Sequence, residues 1–321
     1  MTLRSWVVVL AVGLCWSARS AGDEAEDRAA AIVEKLGGKV ERDEKMPGKP
    51  VITVNLYKTK ILDAGLKDLA PLKNLTILNV MGTEVSDAGL KELTRLKRLT
   101  ALDLTDSKVT DKGAKEIARL KTLIRLDLTR TQVTDAGLKE IVALKELTHL
   151  YLNDTKVTDA GLKEIAQLDA LTYLNLHTTK VTGSTLKELE PLKGLTFLDL
   201  TKTELTDAGL KEIAQLKALT TLYLIDTKVT DAGLKEIVQL KALTSLDLTN
   251  TKVTDAGLKE IAQLKTLTSL DLSGTGVSNA GMKELAQLKA LTILWLERTK
   301  VTNTGASEVQ KAVPKCKVYW K

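Results

Sequence analysis

Residues 99–122 read Leu-Thr-Ala-Leu-Asp-Leu-Thr-Asp-Ser-Lys-Val-Thr-Asp-Lys-Gly-Ala-Lys-Glu-Ile-Ala-Arg-Leu-Lys-Thr. The alternation Leu102-Asp103-Leu104 predicts a short, half-buried strand. Val109 then turns the chain inward, and Thr110-Asp111 offers side-chain oxygens to the bare N–H groups of a helix start. Ala114, Ile117 and Leu120 follow helical spacing, with Leu123 aimed into the next unit's core and Lys115 and Glu116 left to solvent. The block then recurs. Its apolar pair begins at Leu78, Leu102, Leu126, Leu150, Leu174, Leu198, Leu222, Leu246, Leu270 and Leu294, one every 24 residues with no insertion or deletion. A weaker Val54-x-Leu56 precedes the series and Val318-x-Trp320 closes it. Self-similarity at this period specifies an array in which each unit buries its apolar face against its neighbours.

The shared pattern, LxxLxLxxTxVTDAGLKEIAxLKxL, resembles the leucine-rich repeat, with Thr where many members carry Asn or Cys. The resemblance covers roughly residues 50–321, and its TDAGL helix entry is similar to the repeats of exported bacterial proteins and of F-box substrate adaptors. Residues 22–50 are too few to hold an F-box. The family implies an α/β fold: a curved, right-handed solenoid with parallel strands on the concave face and helices on the convex face. The hydroxyl column Thr59, Thr83, Ser107, Thr131 and onward to Thr299 occupies the place of the family's Asn ladder, where each donates to a backbone carbonyl. The expected organisation is a leader at 1–21, an amino-terminal cap at 22–50, repeats at 51–313 and a closing cap strand at 314–321. Trp320 stands there in place of a core Leu and covers the open end, as a solenoid requires.

The first 21 residues differ in kind. Arg4, an apolar run from Trp6 to Trp16, and small residues at Ala18 and Ser20 predict a secretory signal peptide cut before Ala21. The run is shorter than the ~20 residues a membrane-spanning helix needs, so membrane attachment is expected only if the leader stays uncleaved. Its removal takes Arg4 and Arg19, leaving 45 basic residues against 41 acidic ones. That small excess is not a nucleic-acid signature. Cys15 also leaves, so Cys316 has no intramolecular disulfide partner. The expectation is an exported protein, periplasmic, cell-surface or secreted, of bacterial type because the Cys-rich caps of animal and plant repeat proteins are missing.

Repetition serves as a control: scaffold positions recur, and selected ones vary. Side chains alternate across a strand, so the residues before, between and after the paired Leu residues face outward on the concave sheet. Of the eight aromatic residues beyond the leader, only Trp320 falls outside these columns, and both histidines lie in them. His149, Tyr151, Tyr173, His177, Phe197 and Tyr223 cluster on four adjacent strands, over roughly 15–20 Å at one strand spacing each. With Arg125, Arg130 and Ile225 they form the candidate site, read as a hot spot for a protein or peptide partner. A glycan stacked on the rings is the alternative, and an architectural spacer without a ligand is the third reading. The least regular unit, Val181-Thr182-Gly183-Ser184-Thr185 with Glu190-Pro191, lies beside the patch. It reads as a functional dent or as a seam between duplicated blocks, and a similar Ala70-Pro71 five units earlier favours the seam.

Catalysis finds no support in the sequence. His149 and His177 are offset four residues on adjacent strands, about 13 Å along the strand axis, too far to share a metal. No Cys-x-x-Cys or His-x-x-x-His adds a ligand. The neighbouring acids Asp103/Asp127 and Asp247/Asp271 lack a pocket to desolvate one partner, as glycosidase chemistry demands, and are expected to be solvated. No cofactor is expected. The chain is read as a non-catalytic monomeric scaffold.

Overall fold

The first Leu of each pair, from Leu78 to Leu294, is the centre of a three-residue strand that ends just before the second, and the strands follow one another across a single sheet in chain order. The computed structural model describes residues 21–321; the leader expected at 1–21 lies outside them, apart from Ala21. The strands are β1 (Lys39–Arg42), β2 (Val51–Asn55), β3 (Ile77–Asn79), β4 (Ala101–Asp103), β5 (Arg125–Asp127), β6 (His149–Tyr151) and β7 (Tyr173–Asn175). They continue as β8 (Phe197–Asp199), β9 (Thr221–Tyr223), β10 (Ser245–Asp247), β11 (Ser269–Asp271), β12 (Ile293–Trp295) and β13 (Lys317–Tyr319). From β2 onward every pair is parallel, and each residue faces the one 24 positions later, as in Leu150↔Leu174. The cap strand β1 alone runs antiparallel, against β2. Helices such as Asp111–Ile117 and Asp135–Ile141 return the chain on the other side. The core between is one continuous column of Leu, Ile and Val.

The ends are closed by different means. Helix α1 (Ala21–Lys35) lays Ala29, Ala30 and Val33 on the first strands, while Glu26 accepts from the Val51 N–H and Arg42 pairs with Asp27 at 2.8 Å. At the far end Trp320 packs, partly buried, against the same core. No helix among the described residues is long and apolar enough to cross a membrane.

Three hydrogen-bond ladders hold units together. The Thr column donates to the carbonyl three residues earlier at 2.6–2.8 Å, from Thr59 through Thr299. Ser107 is the exception and its hydroxyl has no partner. A second ladder of Thr side chains bonds the strand-entry carbonyl of the previous unit, as from Thr172 to Thr148 at 3.2 Å. The third corrects the expectation for the helix start. Thr110 does cap its own helix, through the Lys112 N–H, but Asp111 reaches instead into the next unit and accepts from both the N–H and hydroxyl of Thr134 at 2.8 Å. Gly137 stays bare because a Cβ there would meet that carboxylate at 2.6 Å.

The Asp ladder runs from Asp63 to Asp255 and ends on Asn279, but skips Gly183, which replaces the Asp and sits at φ +90°. Thr206, the residue such an Asp would hold, makes no capping bond. The following helix is reduced to a 3-10 turn, Leu186–Leu189. Asp111→Ala is expected to destabilise the fold by ~1–3 kcal/mol, the cost of leaving partly buried polar groups unpaired. Asp111→Asn should cost less, since Asn279 does the same task for Thr302. Urea denaturation of the two variants measures both.

Candidate binding face

The rings form one line. The Arg125 guanidinium lies 4.4 Å from the centre of the Tyr151 ring. Tyr151 meets Tyr173 at 4.8 Å, tilted by 37°, and Tyr173 stacks on Phe197 at 3.9 Å and 6°. Phe197 meets Tyr223 edge-on at 5.3 Å and 79°. His149 stacks on Tyr173 at 5.4 Å. Each contact stabilises the row by about 0.5–1.5 kcal/mol beyond simple burial. The geometry follows from register: first-column residues on one strand neighbour those on the next, and middle-column residues reach diagonally between them.

The rings were expected to be exposed, but they are half-buried, because they cover one another. They also enclose the sheet surface beneath. Asn175 and Asp199, each 7% exposed, lie side by side with Tyr151 and Tyr223 as their outer neighbours. Burial pushes the Tyr173 phenol up to about 12, with Tyr151 adding to the effect and Asn175 opposing it.

The remaining candidates divide. His177 and Ile225 lie just beyond β7 and β9, partly exposed, and make no ring contact among the described residues. Arg130 stands apart. It occupies the turn position that each unit places at positive φ, here 53°, and its guanidinium grips Asp106 of the previous unit through two hydrogen bonds. It is occupied at the rim rather than presented with the rings.

The middle column is not the set of solvated acids expected. Asn55, Asn79, Asp103, Asp127, Asn175, Asp199, Asp247 and Asp271 each accept the N–H two residues on, at 2.8–3.0 Å. Each serves the scaffold through one side-chain oxygen. Tyr151, Tyr223 and Trp295 stand where that acceptor would be and cannot make the bond. The sequence showed these tyrosines as variable but gave no sign of what they displace. Thr201 shows a further consequence. One unit before Asp127, the Thr105 hydroxyl favours the charged form of the Asp127 carboxyl. For Thr201 the corresponding neighbour is Tyr223, and its hydroxyl, 5% exposed, has no partner.

Sequence reasoning missed Ile124. Every other unit has Thr at that strand-entry position from Thr76 to Thr292, so the break was visible. Ile124 is 44% exposed and precedes Arg125. Arg125 also borders a shallow depression of about 290 Å³ whose walls include Ile77, Ala101 and Asp103. Trp295 and Tyr319 form a separate stacked pair at 6.0 Å.

Burial, then the Arg125 charge, hold His149 below its ordinary 6.5. The fold favours the neutral ring, so the unfolded chain binds more protons near pH 6. This contribution to stability is present above pH 6.5 and is lost as pH falls through the folded midpoint. A proton NMR titration should place that midpoint below 6.5, and Arg125→Ala should raise it only part of the way, since burial remains. A midpoint at or above 6.5 contradicts the packing described.

Among the described residues no three His, Cys, Asp or Glu side chains gather to hold a metal. A leucine-rich-repeat family model matches residues 72–93, 97–118, 119–142 and 145–166, and a model of Zer-1-like leucine-rich repeats matches residues 186–295. The chain is a leucine-rich repeat protein. A search of curated protein sequences gave no match. Among solved structures, this leucine-rich repeat protein is similar to an internalin from Listeria monocytogenes, with a TM-score of 0.59 and 19% identity over 92% of this chain and 94% of that one. It is also similar to a TDR receptor, at 0.52 and 18% over 80% and 50%. A PEPR1–AtPEP1 structure gives 0.50 and 16% over 88% and 43%. At these identities the likeness is one of fold.

Proposed function

We propose that this leucine-rich repeat protein is an exported, non-catalytic scaffold that captures a protein partner on the ring row of its concave face. The observation that carries this reading is the exchange at Tyr151 and Tyr223. Each replaces a residue type that elsewhere in the column closes a backbone hydrogen bond, and Tyr223 also leaves the Thr201 hydroxyl unmet. The row's own ring contacts offset part of that loss, and a position that departs from its column's rule in this way is one kept for another purpose.

The stacking favours a protein over a sugar. A glycan platform needs an open ring face, whereas Tyr173 and Phe197 spend theirs on each other, and Arg125 covers one face of Tyr151. What remains is a ridge of ring edges beside a cation, suited to side chains of a partner. Alanine at Tyr173 and Phe197 should abolish capture of the partner from the exported fraction, and unchanged capture contradicts the reading. A glycan array probed with the wild-type protein and this pair tests the sugar alternative, for which ring-dependent binding is the positive result.

A further inference from the structure

The concave face is acidic although the whole chain carries a net charge of +6. Its outward columns from β3 to β12 and the residues just beyond hold Asp103, Asp127, Asp199, Asp247, Asp271 and Glu297 against Arg125, which already stacks on Tyr151. Across β8–β11 the middle column reads Asp199, Tyr223, Asp247, Asp271, each the cross-strand partner of the next. One strand spacing, about 4.8 Å, separates successive members. No ion pair among the described residues engages the three carboxylates.

Burial, and more weakly Asp271 and Asp199, push the Asp247 carboxyl above its ordinary range. The first-column neighbours Thr221, Ser245 and Ser269 are short, so nothing tall stands over the acids on that side. The unmet Thr201 hydroxyl, two residues beyond Asp199, borders the same row.

Resting on the concave reading above, the geometry points to a partner whose docking segment is an extended basic peptide. One Lys or Arg side chain lies over Asp247 and Asp271 on the far side of Tyr223, and an apolar side chain packs on Tyr173 and Phe197. A cation is attracted both to the ring and to the crowded carboxylates, whose mutual repulsion it relieves. From the midpoint of the Tyr173–Phe197 stack to that of the Asp247–Asp271 pair is three strand spacings. A peptide crossing the strands covers that in about four residues.

The probe is a displayed library of random dodecapeptides selected on the immobilised wild-type protein, followed by calorimetry with the synthetic winner. Peptides with a basic residue three to five positions from an aromatic or aliphatic one are expected. Their affinity should fall at least tenfold in Asp247→Asn/Asp271→Asn. That pair removes charge but keeps the backbone bond, because Asn55, Asn79 and Asn175 make it in the same column. Winners without a basic residue, or insensitive to the Asn pair yet lost in Tyr173→Ala/Phe197→Ala, overturn the basic-segment inference and leave the concave reading standing. No enrichment, or binding indifferent to both pairs, overturns both.

Discussion

Leu174→Ala is expected to destabilise the fold by about 2–5 kcal/mol, towards the upper end of that range. Leu174 is fully buried at the centre of β7, with Leu150 and Leu198 as its cross-strand neighbours. The regular stack on both sides leaves the cavity little room to collapse. Because each unit of a solenoid touches only its neighbours, the loss is local and weakens the coupling between the two halves of the array. Urea denaturation should show an earlier and broader transition, with the units around β7 opening first in hydrogen exchange. A loss under about 1 kcal/mol would contradict the packing, since even a partly relaxed Leu→Ala site costs more.

The second large effect concerns binding. Truncating a central aromatic residue at an interface costs about 2 kcal/mol or more, so alanine at both Tyr173 and Phe197 should weaken partner binding by two to three orders of magnitude. The two rings are parallel at 3.9 Å, and residues in such contact do not contribute independently. Each single variant is therefore expected to show most of the loss, and the pair less than the sum. The fold should tolerate both changes. The same column holds Thr53, Thr221, Ser245 and Ser269 in other units, so no large side chain is required there. The folded state loses the ring contacts of the two side chains, about 0.5–1.5 kcal/mol each, together with their partial burial, but no cavity opens in the core.

The scaffold was legible in the sequence because it is periodic. The Leu pairs, the Thr ladder and the parallel register follow from one unit repeated, and the strands fall where the Leu-x-Leu pairs stand. What periodicity concealed is direction. Asp111 reads as a cap for its own helix, whereas in the fold it is bonded to Thr134 one unit on. The middle-column acids likewise look solvated until their bonds to the N–H two residues later are seen.

Clustering of rings on adjacent strands was legible, but their mutual coverage was not, because it depends on ring orientation rather than on spacing. Arg130 illustrates the opposite limit. Its column is three residues past the strand, where positive φ turns the chain and Asp106 takes the guanidinium. Ile124 was visible as the single break in a Thr column. Attention to the Leu-flanking columns alone passed it over.

The most direct test of the concave ring row as the binding surface is the dissociation constant of the captured partner for three proteins. These are the wild type, Tyr173→Ala/Phe197→Ala, and Lys163→Ala on the helix side, where Lys163 is exposed. A loss of at least about 100-fold confined to the ring pair, measured in buffer where urea denaturation shows that variant to be folded, is the predicted result. Unchanged affinity in the ring pair with loss in Lys163→Ala would place the partner on the convex face and contradict it.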